Sequence, residues 1–378
     1  MGLKIWIRYW LLSIIIILII LATFNYIVDP YGIYNSKVID AHKIKRHDKI
    51  RLVKAIDIKE KNIKSIILGT SRATYGYNPN HKYFQQPAYN AALPGASIYE
   101  NLIYLKGALE YNNIKNILLV LDYKMFNSKK QKKINDLETY FTNGNLKYKY
   151  LLSLTQLKDS IATLKKNNKN IKIYLENGFR KENINIKKIK NRYQFMLEDE
   201  STYYKGYPTN YIYSDTKNNS MDDLKELLQI VKNNNLNLTI IFGPSHIRLW
   251  ESLDYHLDYN LWLKWKKDIV IQADNILNKN VSIYDFSVYN KYTNEKLSKT
   301  DKKMKYFIDS NHYRQSLGSL VLNYLNNDFK DETFAVKLNI NNIDLHLKQL
   351  KNDRIKYIDI DKYKKTMDEY INKKGYAN

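Results

Sequence analysis

A serine near one end of the chain and an aspartate–histidine pair near the other hold the residue types most able to do chemistry. Ile66-Ile67-Leu68-Gly69-Thr70-Ser71-Arg72 is an apolar run closed by a glycine and a serine. It reads as a buried strand whose glycine lets the backbone turn tightly and present Ser71 beyond the strand end. Phe307-Ile308-Asp309-Ser310-Asn311-His312-Tyr313 sets an aspartate three residues before a histidine. On a tight loop that spacing lets the carboxylate accept the ring Nδ1–H while Nε2 faces outward, which fixes the tautomer and stabilises an imidazolium. Nucleophile, base and orienting acid are the minimum set for serine-based acyl chemistry. Each segment also has a plainer reading, with Ser71 as a cap or turn former, Asp309 as the cap of the next helix and His312 as a surface residue. Their joint presence favours chemistry. A Gly-x-Ser-x-Gly elbow is absent, because position 73 is Ala73.

Other candidates carry less. His246, in Gly243-Pro244-Ser245-His246, reads as a substrate contact, an alternative base, or a strand-end residue bonded to backbone; Ser245 is a lesser nucleophile candidate. His42, His47, His81, His256 and His346 are scattered without metal-ligand spacing, so no metal and no cofactor is expected. With no cysteine there is neither a disulfide framework nor thiolate chemistry. The net charge of +23 comes from lysines spread evenly among asparagine, isoleucine and tyrosine. That pattern reads as a solvated surface rather than a nucleic-acid footprint. It would still attract anionic lipid or acidic polysaccharide at long range.

The elements that must position these residues alternate. Strands are expected at 65–68, 88–92, 116–121, 236–242 and 281–286, and helices from Ser97 onward, at 151–164, 221–231, 255–277 and 313–325. Ser97 with Glu100 forms a capping-box pattern ahead of Ile98, Leu102, Leu105 and Leu109 on one helical face. Strands and helices in this order argue a parallel sheet covered on both faces, a three-layer α/β/α sandwich with five strands. Ligands bind such sheets beyond the carboxyl ends of the strands. Gly69-Thr70-Ser71, Asp122, Gly243 to His246 and Asp285 should therefore meet at one margin. Residues 124–219 are polar, rich in lysine and asparagine, and read as a partly helical insertion in a domain spanning 63–330. Residues 331–378 read as a small appendage, with Phe334, Val336, Leu338 and Ile340 alternating as in an edge strand before a basic helix.

The N-terminus holds the second strong signal. From Ile5 to Val28 the only charged residue is Arg8. Twenty-four residues at 1.5 Å rise span about 36 Å, enough to cross a hydrocarbon core. Lys4 and Arg8, which precede the uncharged stretch Trp10 to Leu21, place the N-terminus in the cytoplasm and the rest across the membrane, and Trp6, Tyr9, Trp10 and Tyr26 suit an aromatic belt. The run is long for a signal peptide and no small-x-small cleavage site follows, so residues 1–28 read as an uncleaved anchor and 29–62 as a connector. Export removes nucleic acid as a natural partner.

Gly69-Thr70-Ser71-Arg72, then Asn90 to Gly95, then Asp309-x-x-His312 resemble, in order and spacing, the SGNH (GDSL-like) hydrolase superfamily. More closely they resemble its membrane-anchored bacterial branch, which includes alginate O-acetylation proteins and the D-alanyl transfer protein of teichoic acids. The resemblance covers about residues 60–327 and leaves the middle insertion unmatched. It implies a flavodoxin-like sheet, Ser71 as nucleophile, His312 as base, Asp309 as orienting acid, and an oxyanion hole from the backbone N–H of Ser71 and Gly95. The superfamily usually places an asparagine after the third strand, where this chain has Leu121-Asp122-Tyr123. A carboxylate cannot donate unless protonated, and losing one oxyanion donor costs about 2.7–4 kcal/mol. Asn90, Tyr123 or Arg72 are the candidate replacements; Arg72, Asp122, Tyr123 and His246 are candidate substrate contacts. The implied activity is O-acyl transfer, most simply acetyl, or ester hydrolysis on an envelope or secreted polysaccharide. A multi-span membrane acyltransferase would supply the acyl donor. The main domain would face the periplasm, tethered to the bacterial inner membrane. The alternative expectation is a non-catalytic glycan-binding or assembly protein on the same fold, and charge alone would give only a basic membrane-surface scaffold.

Overall fold

A computed structural model describes residues 2–39, 44–126, 137–165, 173–182, 191–207, 210–278, 281–297 and 303–374. In chain order the elements are α1 (Gly2–Val28), α2 (Ile50–Glu60), β1 (Ser65–Leu68), α3 (Ser71–Gly76), β2 (Ala88–Asn90), α4 (Ile98–Tyr111) and β3 (Asn116–Leu121). There follow α5 (Thr139–Thr142), α6 (Leu146–Leu151), α7 (Leu154–Lys165), α8 (Arg192–Glu200), α9 (Ser220–Asn233), β4 (Asn237–Phe242), α10 (Ile247–His256) and α11 (Tyr259–Leu277). The chain ends with β5 (Val281–Asp285), α12 (Gln315–Leu325), β6 (Val336–Leu338), α13 (Ile343–Tyr357) and α14 (Ile360–Lys374). They form two compact units, one from Met1–Lys61 with Asp136–Leu175, the other from Asn62–Asn135 with Glu176–Asn378.

In the first unit, α1 is long and apolar enough to span a membrane. Its last turns are covered by α6 and α7. Tyr31, Ile33, Leu52, Val53, Ile56 and Leu146 make a small core beside them. The Asp29 carboxylate accepts the backbone N–H groups of Ile33, Tyr34 and Ser36, which closes the chain into a turn where α1 ends.

In the second unit, the described residues give one sheet in the order β2-β1-β3-β4-β5-β6. The first five strands run parallel, and β6 lies antiparallel on β5 with Asp285 opposite Val336. The expected five strands are therefore six. The alternation at Phe334–Ile340 does form an edge strand, but it extends the main sheet. The uninterrupted apolar runs of β1 and β3 suit strands covered on both faces. Ile67, Leu118, Val120 and Ile241 face a core shared with Ala73 and Tyr77 of the α3 region and with Leu317, Val321 and Leu322 of α12. On the other side, Phe242 meets the Trp265 ring of α11 edge-on at 5.0 Å, and α4, α9, α11 and α13 pack in sequence. α3 and α12 cross at glycine: a Cβ on Gly318 would come within 1.9 Å of the Gly76 carbonyl oxygen.

Helix α4 starts at Ser97 with both halves of the capping box formed, Glu100 N–H on Ser97 Oγ and Ser97 N–H on the Glu100 carboxylate. The helix expected at 255–277 starts later, at Tyr259, because Asp258 caps it there with its carboxylate accepting Asn260 N–H at 2.8 Å, and Tyr255 and His256 close α10 instead. The polar segment 124–219 contributes to both units: α5 to α7 belong to the first and α8 to the second. Residues 127–136, 166–172, 183–190 and 208–209 of it lie outside the described residues.

Candidate functional site

Strand order reverses at β1, since β2 lies on one side of it and β3 on the other. Open α/β sheets bind their ligands at such a switch point. The chain turns there at Gly69, whose φ of +151° suits glycine, and a Cβ would press on Ala73 at 2.9 Å and on the Val120 carbonyl oxygen at 3.0 Å. The Gly69 N–H is held by Asn101 Oδ1 at 2.6 Å. Thr70 caps α3 by accepting Arg72 N–H, and its own hydroxyl donates to Asp122 Oδ2 at 2.9 Å. Ser71 is thereby the first residue of α3 and partly open to solvent.

The Ser71 hydroxyl lies 2.7 Å from His312 Nε2. The other ring nitrogen of His312 lies 2.8 Å from Asp309 Oδ2. Asp309 Oδ1 accepts two backbone N–H groups, from Asn311 at 2.9 Å and His312 at 2.6 Å. Phe307 and Tyr313 pair across this loop, and Ile308 N–H donates to His312 O at 2.8 Å, so the carboxylate sits inside a closed turn. Burial works to raise the Asp309 pKa, but His312 and the two N–H donors outweigh it and hold the carboxyl below its ordinary value. Burial disfavours His312 protonation; the Asp309 charge, helped by Asp199, outweighs that and raises it.

The remaining expected residues divide. Asn90 spends both side-chain N–H groups on the carbonyls of Ala73 and Tyr77, each at 2.9 Å, while its oxygen accepts Ala92 N–H. It braces α3 from behind and has no donor left for an oxyanion. Gly95 has a left-handed φ of 63° and is exposed. Its turn is tied to the Ser71 turn by Leu93 N–H on the Gly69 carbonyl at 3.1 Å. Arg72 is buried, with Nη2 donating to the Gly243 and Pro244 carbonyls and to Ser245 Oγ. Asp122 accepts from Thr70 and from Lys124 N–H, so it supplies no donor. Tyr123 packs edge-on to Trp265, and burial pushes its hydroxyl to about 12. These residues line a cavity of about 10 Å³, room for no more than a water, which does not suit Arg72, Asp122 and Tyr123 to holding a substrate.

His246 is a structural histidine. Its Nδ1 accepts Arg248 N–H as the cap of α10, its Nε2 pairs with the Glu295 carbonyl at 2.8 Å, and burial pulls its pKa down to about 4. It serves the site indirectly, because its backbone N–H holds the Ser310 carbonyl at 3.0 Å. Asp285 also lies off the serine; its carboxylate is buried with Lys266, Ser287 and His346.

Sequence reasoning passed over four side chains around the serine. Tyr75, one turn along α3, meets the His312 ring edge-on at 5.6 Å, and the Arg180 guanidinium lies over Tyr75 at 4.5 Å. Asp199, near the end of α8, is pushed up to about 7 by burial and by the Asp309 carboxylate, and its Oδ2 has no hydrogen-bond partner among the described residues. Glu200 accepts Ser310 Oγ, takes both arms of Arg248 at 2.9 and 2.6 Å, and accepts Tyr363 OH at 3.1 Å, which pins the Asp309–His312 loop. The one visible signal was Asn191, whose side chain caps α8. The charged residues that α8 buries carry no hydropathy pattern.

No protein-family model and no curated protein sequence matches the chain. Among solved structures it is similar to "a putative platelet activating factor from Streptococcus pneumonia", at 10% sequence identity over 75% of this chain and 92% of that one, with a TM-score of 0.37. A likeness of that degree leaves the family open.

Proposed function

We propose that this protein is a serine-dependent acyl hydrolase or acyltransferase that works outside the cytoplasm on a glycan ester. The observation that carries the reading is the unbroken line from Ser71 Oγ to His312 Nε2 at 2.7 Å and from His312 Nδ1 to Asp309 at 2.8 Å. In this reading Ser71 Oγ attacks the acyl carbonyl as its proton passes to His312 Nε2. The tetrahedral oxyanion is held by the N–H groups of Ser71 and Gly95, and the leaving oxygen departs with the proton from His312. His312 then takes a proton from water or a sugar hydroxyl, which attacks the acyl-serine and regenerates the enzyme. Asp309 remains ionised throughout and keeps Nδ1 protonated.

The glycan, a donor delivered by a multi-span membrane acyltransferase, and tethering to a bacterial inner membrane through α1 belong to the same proposal. The partly open Ser71 and the apolar length of α1 support them. One observation favours weak turnover or pure binding: Asp122, at the position of the superfamily's asparagine, accepts hydrogen bonds and donates none to an oxyanion. A fluorophosphonate probe separates the two readings. Stoichiometric labelling of the wild type, lost in Ser71→Ala and in His312→Ala with the fold intact, is the expected result. A wild type that stays unlabelled leaves a binding protein.

A further inference from the structure

Helix α7 is turned inside out. Its buried positions are Gln156, Ser160 and Thr163, all polar, while Leu154, Ile161 and Leu164 are 67%, 40% and 36% exposed. With the half-buried Leu157, these residues at spacings of three, four and three form one continuous stripe. A water-facing helix puts such a stripe inward; one that faces outward needs an apolar surrounding. At the α6–α7 turn, Leu152 is 50% exposed, and Tyr148 of α6 is 68% exposed.

The polar face has a definite reason to point inward. It satisfies Asn25, the polar residue near the end of α1. Asn25 Nδ2 donates to the carbonyls of Leu151 at 2.8 Å and Ser153 at 3.3 Å. Gln156 Nε2 donates to the Asn25 carbonyl, and Ser160 Oγ donates to Asn25 Oδ1. The depth of this knot follows from helix geometry. Ile5 to Phe24 is twenty residues, about 30 Å of helix, the thickness of a hydrocarbon core. Asn25 and the turn bonded to it then stand where α1 leaves the bilayer, beside the exposed ring of Tyr26. Lys149, Lys158 and Lys165 are exposed on α6 and α7, placed to meet anionic headgroups while their stems follow the apolar face.

We propose that α7 and the α6–α7 turn form a second membrane contact, lying in the interface with Leu152, Leu154, Ile161 and Leu164 among the lipid acyl chains. The partner is the bilayer, and continuity with α1 identifies it. The proposal rests on the reading of α1 as a membrane span and is independent of the chemistry at Ser71. Two such contacts on one unit fix its orientation on the surface, which a single helix with a connector does not.

The absence of cysteine makes the test direct. Full-length Leu154→Cys, Ile161→Cys and Ile16→Cys variants are labelled with a polarity-sensitive fluorophore and reconstituted in phosphatidylglycerol–phosphatidylcholine vesicles. Quenching by acyl-chain nitroxide lipid is compared with quenching by a water-soluble nitroxide. Expected are blue-shifted emission and at least threefold stronger quenching from the lipid at all three positions. Lipid quenching at Ile16 without it at 154 and 161 overturns the proposal. So does a label at 154 shielded from both quenchers, which would mean that a second copy or another protein covers the stripe. No lipid quenching at Ile16 removes the premise, and the proposal with it, in a distinguishable way.

Discussion

Among the described residues the second unit holds two aspartate–histidine pairs of nearly equal length, and only one of the two imidazoles meets a serine hydroxyl. Asp309 and His312 are 2.8 Å apart, with Ser71 Oγ on the far ring nitrogen. Asp285 and His346 are 2.7 Å apart through Nε2, and the same carboxylate oxygen takes Lys266 Nζ at 2.5 Å. Ser287 adds its hydroxyl to that carboxylate and receives Lys266 Nζ at 2.8 Å, so the charges are sealed in a closed set. The first pair leaves its imidazole partly exposed beside a hydroxyl; the second is buried at the end of β5. An aspartate beside a histidine is therefore no site in itself. What the imidazole's other nitrogen meets, and whether solvent reaches it, decides between chemistry and scaffolding.

Asp309→Asn tests the open pair hardest. The amide keeps the shape but no longer fixes Nδ1 as the protonated nitrogen, and turnover of a model ester should fall on the order of 10⁴-fold in kcat. The acidic limb of the kcat/KM profile should also move to lower pH, because the carboxylate is what lifts His312 above its ordinary value. Unfolding by urea should change little by comparison. A variant that retains full turnover would make the open pair as structural as the closed one.

Asp285→Ala is the counterpart in the closed pair. It strands Lys266 in a fully buried site, and removing one partner of a buried ion pair costs about 3–5 kcal/mol. Urea denaturation should show that loss, while turnover per folded molecule stays within about twofold. Burial works against the ionised Asp285, yet Lys266 and His346 outweigh it and hold the carboxyl at about 2. A depressed carboxylate stabilises the fold above its unfolded pKa and loses that contribution as the pH drops through the folded one. Wild-type stability should thus fall between roughly pH 4 and 2 by more than that of Asp285→Asn. Parallel acid curves for the two would show that Asp285 gains nothing from its partners.

What the sequence revealed tracks how locally each element is specified. β1 and β3 are apolar runs bounded by polar or glycine residues, and their expected limits coincide with the observed ones. The Gly69–Ser71 turn and the Asp309–His312 loop were legible because each is a contiguous segment whose own backbone sets the geometry. Roles that depend on distant partners were not. Asn90 looked like a free donor until Ala73 and Tyr77, brought in by α3, took both its N–H groups. His246 read equally as a substrate contact, an alternative base or a strand-end residue bonded to backbone, and the Glu295 carbonyl and the Arg248 N–H, which claim its two ring nitrogens, match the last. The break at Leu257–Asp258 was masked because its flanks continue one apolar rhythm. Glu200 and Arg192, buried charges on α8, are invisible to any reading that equates burial with hydrophobicity.

Asp199 gives the finest test of the contrast, since it is a third carboxyl near the open pair with no counterpart fixed by an ion pair. Its charge works with that of Asp309 to raise His312, while burial and Asp309 in turn hold its own carboxyl near 7. The charge of each group therefore shifts the titration of the other, and the observable is a property of the set rather than of one residue. Asp199→Asn removes one of the two negative charges facing the imidazole and keeps the side chain's size. The acidic limb should shift to lower pH by a few tenths of a unit and become a simple one-proton titration. The plateau rate should stay within about threefold, well short of the Asp309→Asn loss, because Asp199 touches neither ring nitrogen of His312. An unmoved limb would mean that solvent screens Asp199 from the base, and the open site would then be tuned by Asp309 alone.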